Sequence, residues 1–446
     1  MNRLPLRTHL GYGLGDFGQN LLFQTVGFFL LRFYTDVMGL SAAFAANIFL
    51  LTRIWDGIND PMMGWLAQRT RTRWGTFRPY LLWMAGPLAL MMALLFWVPP
   101  LEEGGKQWYA VLTYVGFTMA FTAMNIPFGA LTAVLTADAR ERSRLTGFRM
   151  TMGMLGGVLA AVAFLPLVGL AETHTQGYLM AAVVFGVVMV ACLFQSFRSM
   201  EEQVQAVPKE APSWSAIRKG LWQNRPFWLL CGVFGSCFVA YAIFASSLPY
   251  FATYYLEFSN LTSGLLLTVM GTTATFVPIW AALARRIGKK ATFLWGMLGY
   301  FGGLGGMAIL PIDQLPILFV LMGLYGIGNA AAVFGSWAMV ADTVEFGEWK
   351  TGLRLEGMRY GIYGFFIKLG IGLGLWLAGK SLDWWGYVPN AAQDAVAVGG
   401  IRQLVSVVPL AWVLVAWLLM WRYSLTEGRH EKIRADLVVA EAGTAG

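Results

Sequence analysis

The sequence predicts an all-α membrane protein, and composition and hydropathy together lead to that fold class. Hydrophobic residues make up 57% of the 446 residues, and charged residues only 13%. Soluble domains carry roughly 25% charged residues, so this chain has too few polar side chains to cover a surface in water. Its apolar residues fall into runs of about 20, the length of a membrane-spanning helix, and these runs are too apolar for barrel strands.

Twelve such runs are long enough to cross a bilayer as helices. We expect the lipid bilayer to be the chain's surroundings and the first run to stay in the protein, because no cleavable signal peptide precedes it. The predicted spans are residues 10–35, 41–66, 79–98, 107–136, 146–170, 177–197, 226–254, 261–284, 290–310, 316–341, 357–379 and 400–423.

The positive charge is distributed according to membrane topology. The chain has a net charge of +8 and 32 Lys and Arg residues. If the N-terminus lies inside, 26 of these 32 fall in the inside segments, which predicts that both termini are cytoplasmic. No segment joins basic and aromatic residues into a nucleic-acid surface, so the sequence predicts no nucleic-acid partner.

The chain divides into two halves that resemble each other. The loop after span two reads RWGTFRP from Arg73, and the loop after span eight reads RIGKKATF from Arg286. Two six-helix halves are typical of a major facilitator transporter. The predicted domains are an N-terminal bundle (1–197), a cytoplasmic linker (198–224), a C-terminal bundle (225–424) and a cytoplasmic tail (425–446).

Span two carries charged residues inside an apolar run: Arg53, Asp56 and Asp60, with Asn59 beside them. Positions 53, 56 and 60 fall within an arc of about 60° on a helix, and a charge at mid-bilayer costs at least ~2.5 kcal/mol. They therefore face the protein interior. Two carboxylates one turn apart stay together if a cation lies between them or if one binds a proton. The pattern predicts a site for Na⁺ or H⁺; the alternative is a structural Arg53–Asp56 pair, with Asp60 next to a kink at Pro61.

Other spans hold isolated polar groups. Lys368 lies mid-span in span eleven with no acidic neighbour in its own helix, so it needs a partner across the bundle. Asp16 and Asn20 are one turn apart in span one, Asn125 lies in span four and Arg149 lies just inside span five. Amide, guanidinium and aromatic groups in an apolar cavity suit a polyhydroxylated ligand, although Asn also joins membrane helices to each other.

Charged residues also gather at the predicted cytoplasmic ends of spans four and ten. They predict salt bridges between the halves that break when the inner side opens, or else a solvated loop surface. These gate candidates are Asp138, Arg140, Asp342, Glu345, Arg354 and Glu356.

The sequence favours a transporter over an enzyme. Gly13, Gly15 and Gly18 fit G-x-G-x-x-G, but they open a membrane helix, where glycines allow close helix packing rather than nucleotide binding. No metal cluster or nucleophile–base pair stands out, and the three cysteines lie in apolar runs without metal or disulfide spacing. We expect no cofactor beyond a coupling cation.

The same motifs resemble the glycoside–pentoside–hexuronide:cation symporters of the major facilitator superfamily, the family of melibiose and glucuronide carriers. The resemblance extends over spans one to eleven and is strongest to the glucuronide-carrier branch. The matching segments are YGLGDFGQN, FYTDVMGLS, TRIWDGINDPMMGW, TRTRWGTFRPYLL, NIPFGAL, VADTVEFGEW and TGLRLEGMRYGIYGFFIK.

The resemblance implies roles for individual residues. The family's cation ligands match Asp56, Asn59, Asp60 and Thr122, which implies symport with Na⁺, or with H⁺ or Li⁺. Its helix-eleven lysine matches Lys368. The resemblance also implies that a single chain is enough for transport and that the protein works as a monomer in the cell inner membrane.

The sugar half of the site departs from the melibiose carriers. Their sugar-binding arginine matches Arg149, but the two carboxylates that bind galactosides correspond to Asn20 and Asn125, and a tryptophan is replaced by Gly129. Fewer negative charges favour an anionic glucuronide or other hexuronide, with Arg149 and Lys368 as carboxylate partners. A neutral xyloside fits the amides equally well, and a lysolipid carrier or a non-transporting sugar sensor are further alternatives.

Overall fold

The computed structural model describes residues 4–136, 138–202, 220–310, 314–353 and 355–444. Helices make up nearly all of these ranges, and the described residues contain no strand beyond an isolated bridge between Thr72 and Gly75. An all-helical backbone satisfies its own hydrogen bonds inside a bilayer, as the composition requires.

The helices cover every predicted span. The first six are α1 (Leu6–Arg32), α2 (Ala42–Arg69), α3 (Pro79–Leu95), α4 (Glu103–Leu135), α5 (Ala139–Val168) and α6 (His174–Ser199). The others are α7 (Arg225–Tyr250), α8 (Leu261–Ile287), α9 (Lys289–Ile309), α10 (Leu315–Thr351), α11 (Glu356–Trp384), α12 (Ala395–Leu404), α13 (Val407–Trp421) and α14 (Glu427–Thr444).

Nine segments of the described chain are long and apolar enough to cross a membrane by length and composition alone. The helices α1 and α2 fall outside that set although they are long, because polar and charged residues interrupt their apolar sequence. The apolar helix α3 falls outside it because it has only 17 residues. The helices that miss a simple hydropathy criterion therefore include α2, which carries three of the four candidate cation-binding residues.

The last predicted span is broken rather than continuous. The helix α12 ends at Leu404 and α13 begins at Val407, with Ser406 between them at φ −136° and ψ −84°. Pro409 explains the break, because its ring clashes with the carbonyl four residues earlier and it has no N–H to donate. Beyond α13, the predicted tail contains a further helix, α14.

The described chain forms two compact units. Unit 1 draws on Met1–Pro208, Ala245–Met270 and Leu375–Ile401, and unit 2 draws on Lys209–Phe244, Gly271–Gly374 and Arg402–Gly446. The division into transport halves at 198–224 stays a prediction.

The helices α1 and α7 each end in a π-helical turn. These turns are Phe33–Val37 and Phe251–Tyr255, and the sequence Phe-x-Thr opens both of them, 218 positions apart. The internal repeat seen in the loops is therefore also present in the backbone. Such turns often occur at functional positions, because the extra residue redirects the side chains.

Glycines of α5 bring that helix close to α1. A Cβ at Gly156 would collide with the backbone oxygen of Phe17, and one at Gly153 would collide with the Asp16 carboxylate. Small residues at such contacts let membrane helices approach each other closely. This approach places the polar side chains of α1 against those of α5.

Candidate functional site

The predicted charged cluster of α2 lies within unit 1, with Arg53 and Asp56 buried and Asp60 half-buried. Arg53 Nη1 donates to Asp56 Oδ2 at 2.8 Å, and the two residues are only 5% and 1% exposed. Arg53 Nη2 also donates to the hydroxyl of Tyr114 on α4, at 3.3 Å. The ion pair considered as a structural alternative therefore exists, and it accounts for one oxygen of Asp56.

The other oxygen of Asp56 lacks a protein donor. Within the described ranges, Asp56 Oδ1 is buried without a hydrogen-bond partner, and so is the amide nitrogen of Asn59. A buried, unsatisfied oxygen on a charged carboxylate costs about 1–3 kcal/mol or more. A cation or a proton bound at this oxygen would remove that cost.

Asp60 lies one helical turn further along α2. Thr122 of α4 is 1% exposed and donates its hydroxyl to Asp60 Oδ1 at 3.0 Å. This contact joins α2 to α4, and the threonine oxygen keeps lone pairs for a cation. In the part of the chain that the structure describes, no group of three or more His, Cys, Asp and Glu side chains is arranged to hold a metal ion. Two carboxylates with neutral hydroxyl and amide oxygens suit a hard monovalent cation.

A second polar set joins α1 to α5. Arg149 Nε donates to Asp16 Oδ1 at 2.9 Å, and the Asn20 amide donates to Asp16 Oδ2 at 3.1 Å. The Arg149 guanidinium also lies 5.3 Å from the centre of the Phe128 ring. Three of the predicted sugar-binding residues are therefore in one cluster, and Asp16 offsets the charge of Arg149.

Asn125, the fourth predicted sugar residue in unit 1, contacts a residue that sequence reasoning missed. Its amide donates to Gln19 Oε1 at 2.8 Å. Gln19 is 1% exposed, and its Nε2 has no hydrogen-bond partner among the described residues. An amide in an apolar span next to Asn20 was the signal available in the sequence. Gln19 thus has a buried donor for a ligand.

Lys368 lies on α11 in unit 2, where it is half-buried. The cation residues of α2 belong to unit 1. A pairing of Lys368 with those carboxylates stays a prediction.

The gate candidates on α10 take part in contacts inside unit 2. Lys289 Nζ donates to both oxygens of Asp342, at 2.6 and 2.8 Å. His430 Nε2 lies 2.7 Å from Glu345 Oε2, and Arg434 Nε lies 3.8 Å from the same oxygen. These contacts join α10 to α9 and α14, and bridges between the halves stay a prediction.

The remaining gate candidates are described only in part. Asp138 is half-buried, and its backbone N–H donates to Thr136 Oγ1 at 3.1 Å. Arg354 lies outside the described residues, as do the side chains of Arg140 and Glu356.

A cluster that the sequence did not indicate surrounds Asp36 in the first π turn. Asp36 accepts hydrogen bonds from Thr35 (2.7 Å), Tyr254 (2.9 Å) and Tyr387, and Arg32 Nε lies 3.4 Å away. We call these five residues the Asp36 cluster. It joins the end of α1 to the end of α7 and to the segment after α11, all within unit 1.

Comparison with known proteins identifies the family. Residues 11–427 match the family described as MFS/sugar transport protein. The chain belongs to this family. It is 33% identical to a glucuronide carrier protein homolog of Escherichia coli (strain K12), over 98% of this chain and 96% of that protein. It is 34% identical to an isoprimeverose transporter of Lactiplantibacillus pentosus, over 92% of this chain and 86% of that protein.

The solved structures give the same fold. A bacterial homolog of the human lysosomal transporter Spinster has a TM-score of 0.67 at 14% identity, over 95% of this chain and 99% of that one. The predicted fold class and the resemblance are confirmed. This MFS sugar transporter is a multi-pass membrane protein and not an enzyme.

Proposed function

We propose that this MFS sugar transporter is a symporter that moves a glycoside together with Na⁺ or H⁺ by alternating access. The observation that carries the proposal is Asp56 Oδ1, a carboxylate oxygen buried without a donor in the described part of the chain. Arg53 satisfies only the opposite oxygen. A bound cation or proton satisfies Oδ1, with Asp60, Asn59 and Thr122 as further ligands of Na⁺.

Helix α4 supplies a physical link between cation and sugar. Thr122 contacts the cation residue Asp60, and Asn125 contacts Gln19 of the sugar set. Residues three apart on a helix are neighbours on one face. A cation that fixes Thr122 therefore also fixes Asn125, and the sugar in turn strengthens cation binding, since coupling is reciprocal.

The substrate that we propose is a glucuronide or another hexuronide. Arg149 donates Nε to Asp16, and its side chain is 30% exposed, so part of its guanidinium is open to a substrate carboxylate. A neutral xyloside is the second candidate, because Asp16 offsets the charge of Arg149. In either case the protein acts as a monomer in the cell inner membrane, with both termini cytoplasmic.

Uptake by membrane vesicles tests the proposal. Labelled β-glucuronide, β-xyloside and α-galactoside are compared with and without a Na⁺ gradient, and again with a proton gradient. We expect gradient-driven accumulation of one of the first two. A preference for the glucuronide supports Arg149 as the partner of the substrate carboxylate. A preference for the xyloside supports an Asp16–Arg149 pair whose charges offset each other.

The Asp60→Asn variant tests the cation site. It should lose gradient-driven accumulation and keep part of its sugar binding, because the amide cannot neutralise a cation. Asp383→Asn, at an exposed carboxylate near the end of α11, is the matched control and should transport like the original chain. Full Na⁺-driven accumulation by Asp60→Asn sinks the assignment.

A further inference from the structure

A buried histidine and a buried glutamate meet at the end of the α1–α5 contact. His9 Nε2 on α1 lies 3.2 Å from Glu141 Oε2 on α5, and the residues are 5% and 3% exposed. Neither residue is among the candidate cation-binding or sugar-binding residues. Buried ionisable groups in membrane helices are costly to keep, so this pair needs an explanation.

Hydrogen bonding determines which nitrogen of His9 carries hydrogen. His9 Nδ1 lies 3.2 Å from the carbonyl oxygen of Pro5, and a carbonyl oxygen only accepts, so this contact favours the tautomer with hydrogen on Nδ1. In a neutral ring Nε2 is then an acceptor, and it faces the carboxylate oxygen of Glu141, which is another acceptor. The contact is attractive only if the pair holds one proton, either on His9 Nε2 or on Glu141 Oε2.

The described residues around the pair offer no hydrogen-bond partner to the two atoms that share this proton. In the described ranges neither His9 Nε2 nor Glu141 Oε2 has a hydrogen-bond partner, so the 3.2 Å between them is an ion-pair contact. Arg144 Nη1 donates to the opposite oxygen, Glu141 Oε1, at 2.8 Å, and the Phe148 ring centre lies 5.3 Å from that of His9. The charged groups near this end of α1 are Arg144 and Asp138 around the start of α5, Arg198 and Glu201 at the end of α6, and Arg7 on α1 itself.

The pair belongs to the same helix contact as the sugar set. His9 and Asp16 are seven residues apart on α1, and Glu141 and Arg149 are eight apart on α5, a separation of about 10–12 Å along each helix. Two ion pairs therefore hold the same two helices together. Loss of a proton from one pair weakens the contact on which the other depends.

We propose that His9 and Glu141 form a proton-binding site, distinct from the cation site of α2, whose occupancy controls sugar binding between α1 and α5. The proposal rests on the proposed function for its effect on sugar, but not for the proton itself. A bound proton gives one of the two acceptor atoms, His9 Nε2 or Glu141 Oε2, a hydrogen to donate to the other. This hydrogen bond holds α1 against α5. Removal of the proton lowers sugar affinity by about fivefold or more, the range of ordinary coupling between sites.

Nuclear magnetic resonance of the full-length protein with ¹⁵N-labelled histidine tests the proton site directly. The protein contains three histidines, and loss of a signal in His9→Gln identifies His9. We expect the pH dependence of this signal to differ between the original chain and Glu141→Gln, because the negative partner is gone in the variant. A titration of His9 that is the same in Glu141→Gln overturns the site, whether or not any sugar is transported.

Binding of 4-nitrophenyl β-glucuronide and 4-nitrophenyl β-xyloside, at saturating Na⁺ and varied pH, tests the control of sugar binding. Affinity should fall by about fivefold as the proton leaves, and this step should vanish in His9→Gln and in His9→Lys, which keeps a positive charge. His174→Gln, at an exposed histidine that begins α6, is the matched control and should keep the step. If the pH-dependent change in sugar affinity is the same in both His9 variants as in the original chain, the pair does not regulate sugar binding. If neither glycoside binds at any pH, the proposed substrate class is wrong, and the histidine titration still decides the proton site.

Discussion

Asp36, in the π turn after α1, and Asp56, on α2, have buried carboxylates that differ in how many hydrogen bonds they accept. The Asp36 side chain is 6% exposed and accepts from Thr35, Tyr254, Tyr387 and Arg32. Asp56 is 1% exposed and accepts from Arg53 at one oxygen, while its other oxygen has no donor in the described residues.

The difference matches the proposed roles, in which Asp36 stabilises the structure and Asp56 binds a cation or a proton. Each hydrogen bond to a charged group contributes about 1.5–3 kcal/mol, so the donors of Asp36 stabilise the contact between α1, α7 and the segment after α11. The unsatisfied oxygen of Asp56 makes its pocket less stable until something binds. Substitutions at the two sites should therefore affect different measurements.

Asp56→Asn should give the largest effect on transport. The amide cannot neutralise a cation, so we expect gradient-driven uptake to fall by about 100-fold or more. Thermal stability should also fall, because the buried Arg53 loses its counter-charge, although the amide oxygen can still accept its hydrogen bond. Vesicle uptake and a thermal unfolding scan measure the two quantities. Asp36→Asn is the contrasting control and should lower stability more than Asp56→Asn does. Equal loss of stability in both variants would contradict the comparison.

Removing the two phenol donors of the Asp36 cluster should give the next largest effect. Tyr254→Phe with Tyr387→Phe deletes two hydrogen bonds to a carboxylate, which favours separation of α1 from α7 by about tenfold or more. Labelling of a cysteine introduced at Glu257, exposed just after the second π turn, measures that separation. Na⁺ dependence of uptake should stay as in the original chain. A changed Na⁺ dependence with unchanged labelling would mean that the cluster serves the cation site.

Two threonines provide a smaller, matched test. Thr122→Val removes a hydroxyl from Asp60 and should raise the Na⁺ concentration for half-maximal uptake by about fivefold, whereas Thr122→Ser should restore it. Thr35→Val removes an equivalent hydroxyl from Asp36 and should leave that concentration unchanged. Uptake over a Na⁺ series distinguishes the two, and an equal shift in both variants would contradict a ligand role for Thr122.

The smallest effect concerns alkaline pH. Tyr387 lies after α11, and burial first of all, with the nearby Tyr250 and Asp36, raises the pKa of its phenol. A raised pKa means that the phenol contribution to stability is fully present below the ordinary tyrosine value of about 10 and is lost only as pH rises through the higher value of the folded protein. Because a thiol itself reacts faster as pH rises, labelling at position 257 is divided by that of the same cysteine in the denatured chain, and this ratio should stay constant from neutral pH to about pH 9. A rise within that range that Tyr387→Phe abolishes would contradict this assignment.

How much of the fold and of the candidate site can be predicted from the sequence depends on how far apart the interacting residues lie along the chain. Asp56 and Asp60 were recognisable because charges inside one apolar helix are anomalous without knowledge of any partner. The Asp36 cluster was not, since Asp36 is separated from Tyr254 by 218 residues and from Tyr387 by 351. Phenols and threonines are ordinary residues near the end of a membrane helix, so no local pattern marks them.

The sugar set lies between these two cases. Asp16, Asn20 and Arg149 were predicted as separate polar groups, but not the ion pair that neutralises Arg149, because that pair depends on the close approach of α5 at Gly153. Gln19 was missed although it adjoins Asn20. A polar residue that faces a partner helix cannot be told from one that faces the ligand until both helices are placed.

The two π turns bear on how the chain arose. Asp36 and Tyr254 occupy the same fourth position of the turns Phe33–Val37 and Phe251–Tyr255, and they hydrogen bond to each other. If one ancestral segment was duplicated to give both turns, its two copies first carried identical residues at this contact. Two aspartates would repel each other there, and two tyrosines would leave no carboxylate for Arg32 and Thr35. An acid–phenol pair became possible only when each copy could mutate alone, so on this view the bond dates from after the duplication.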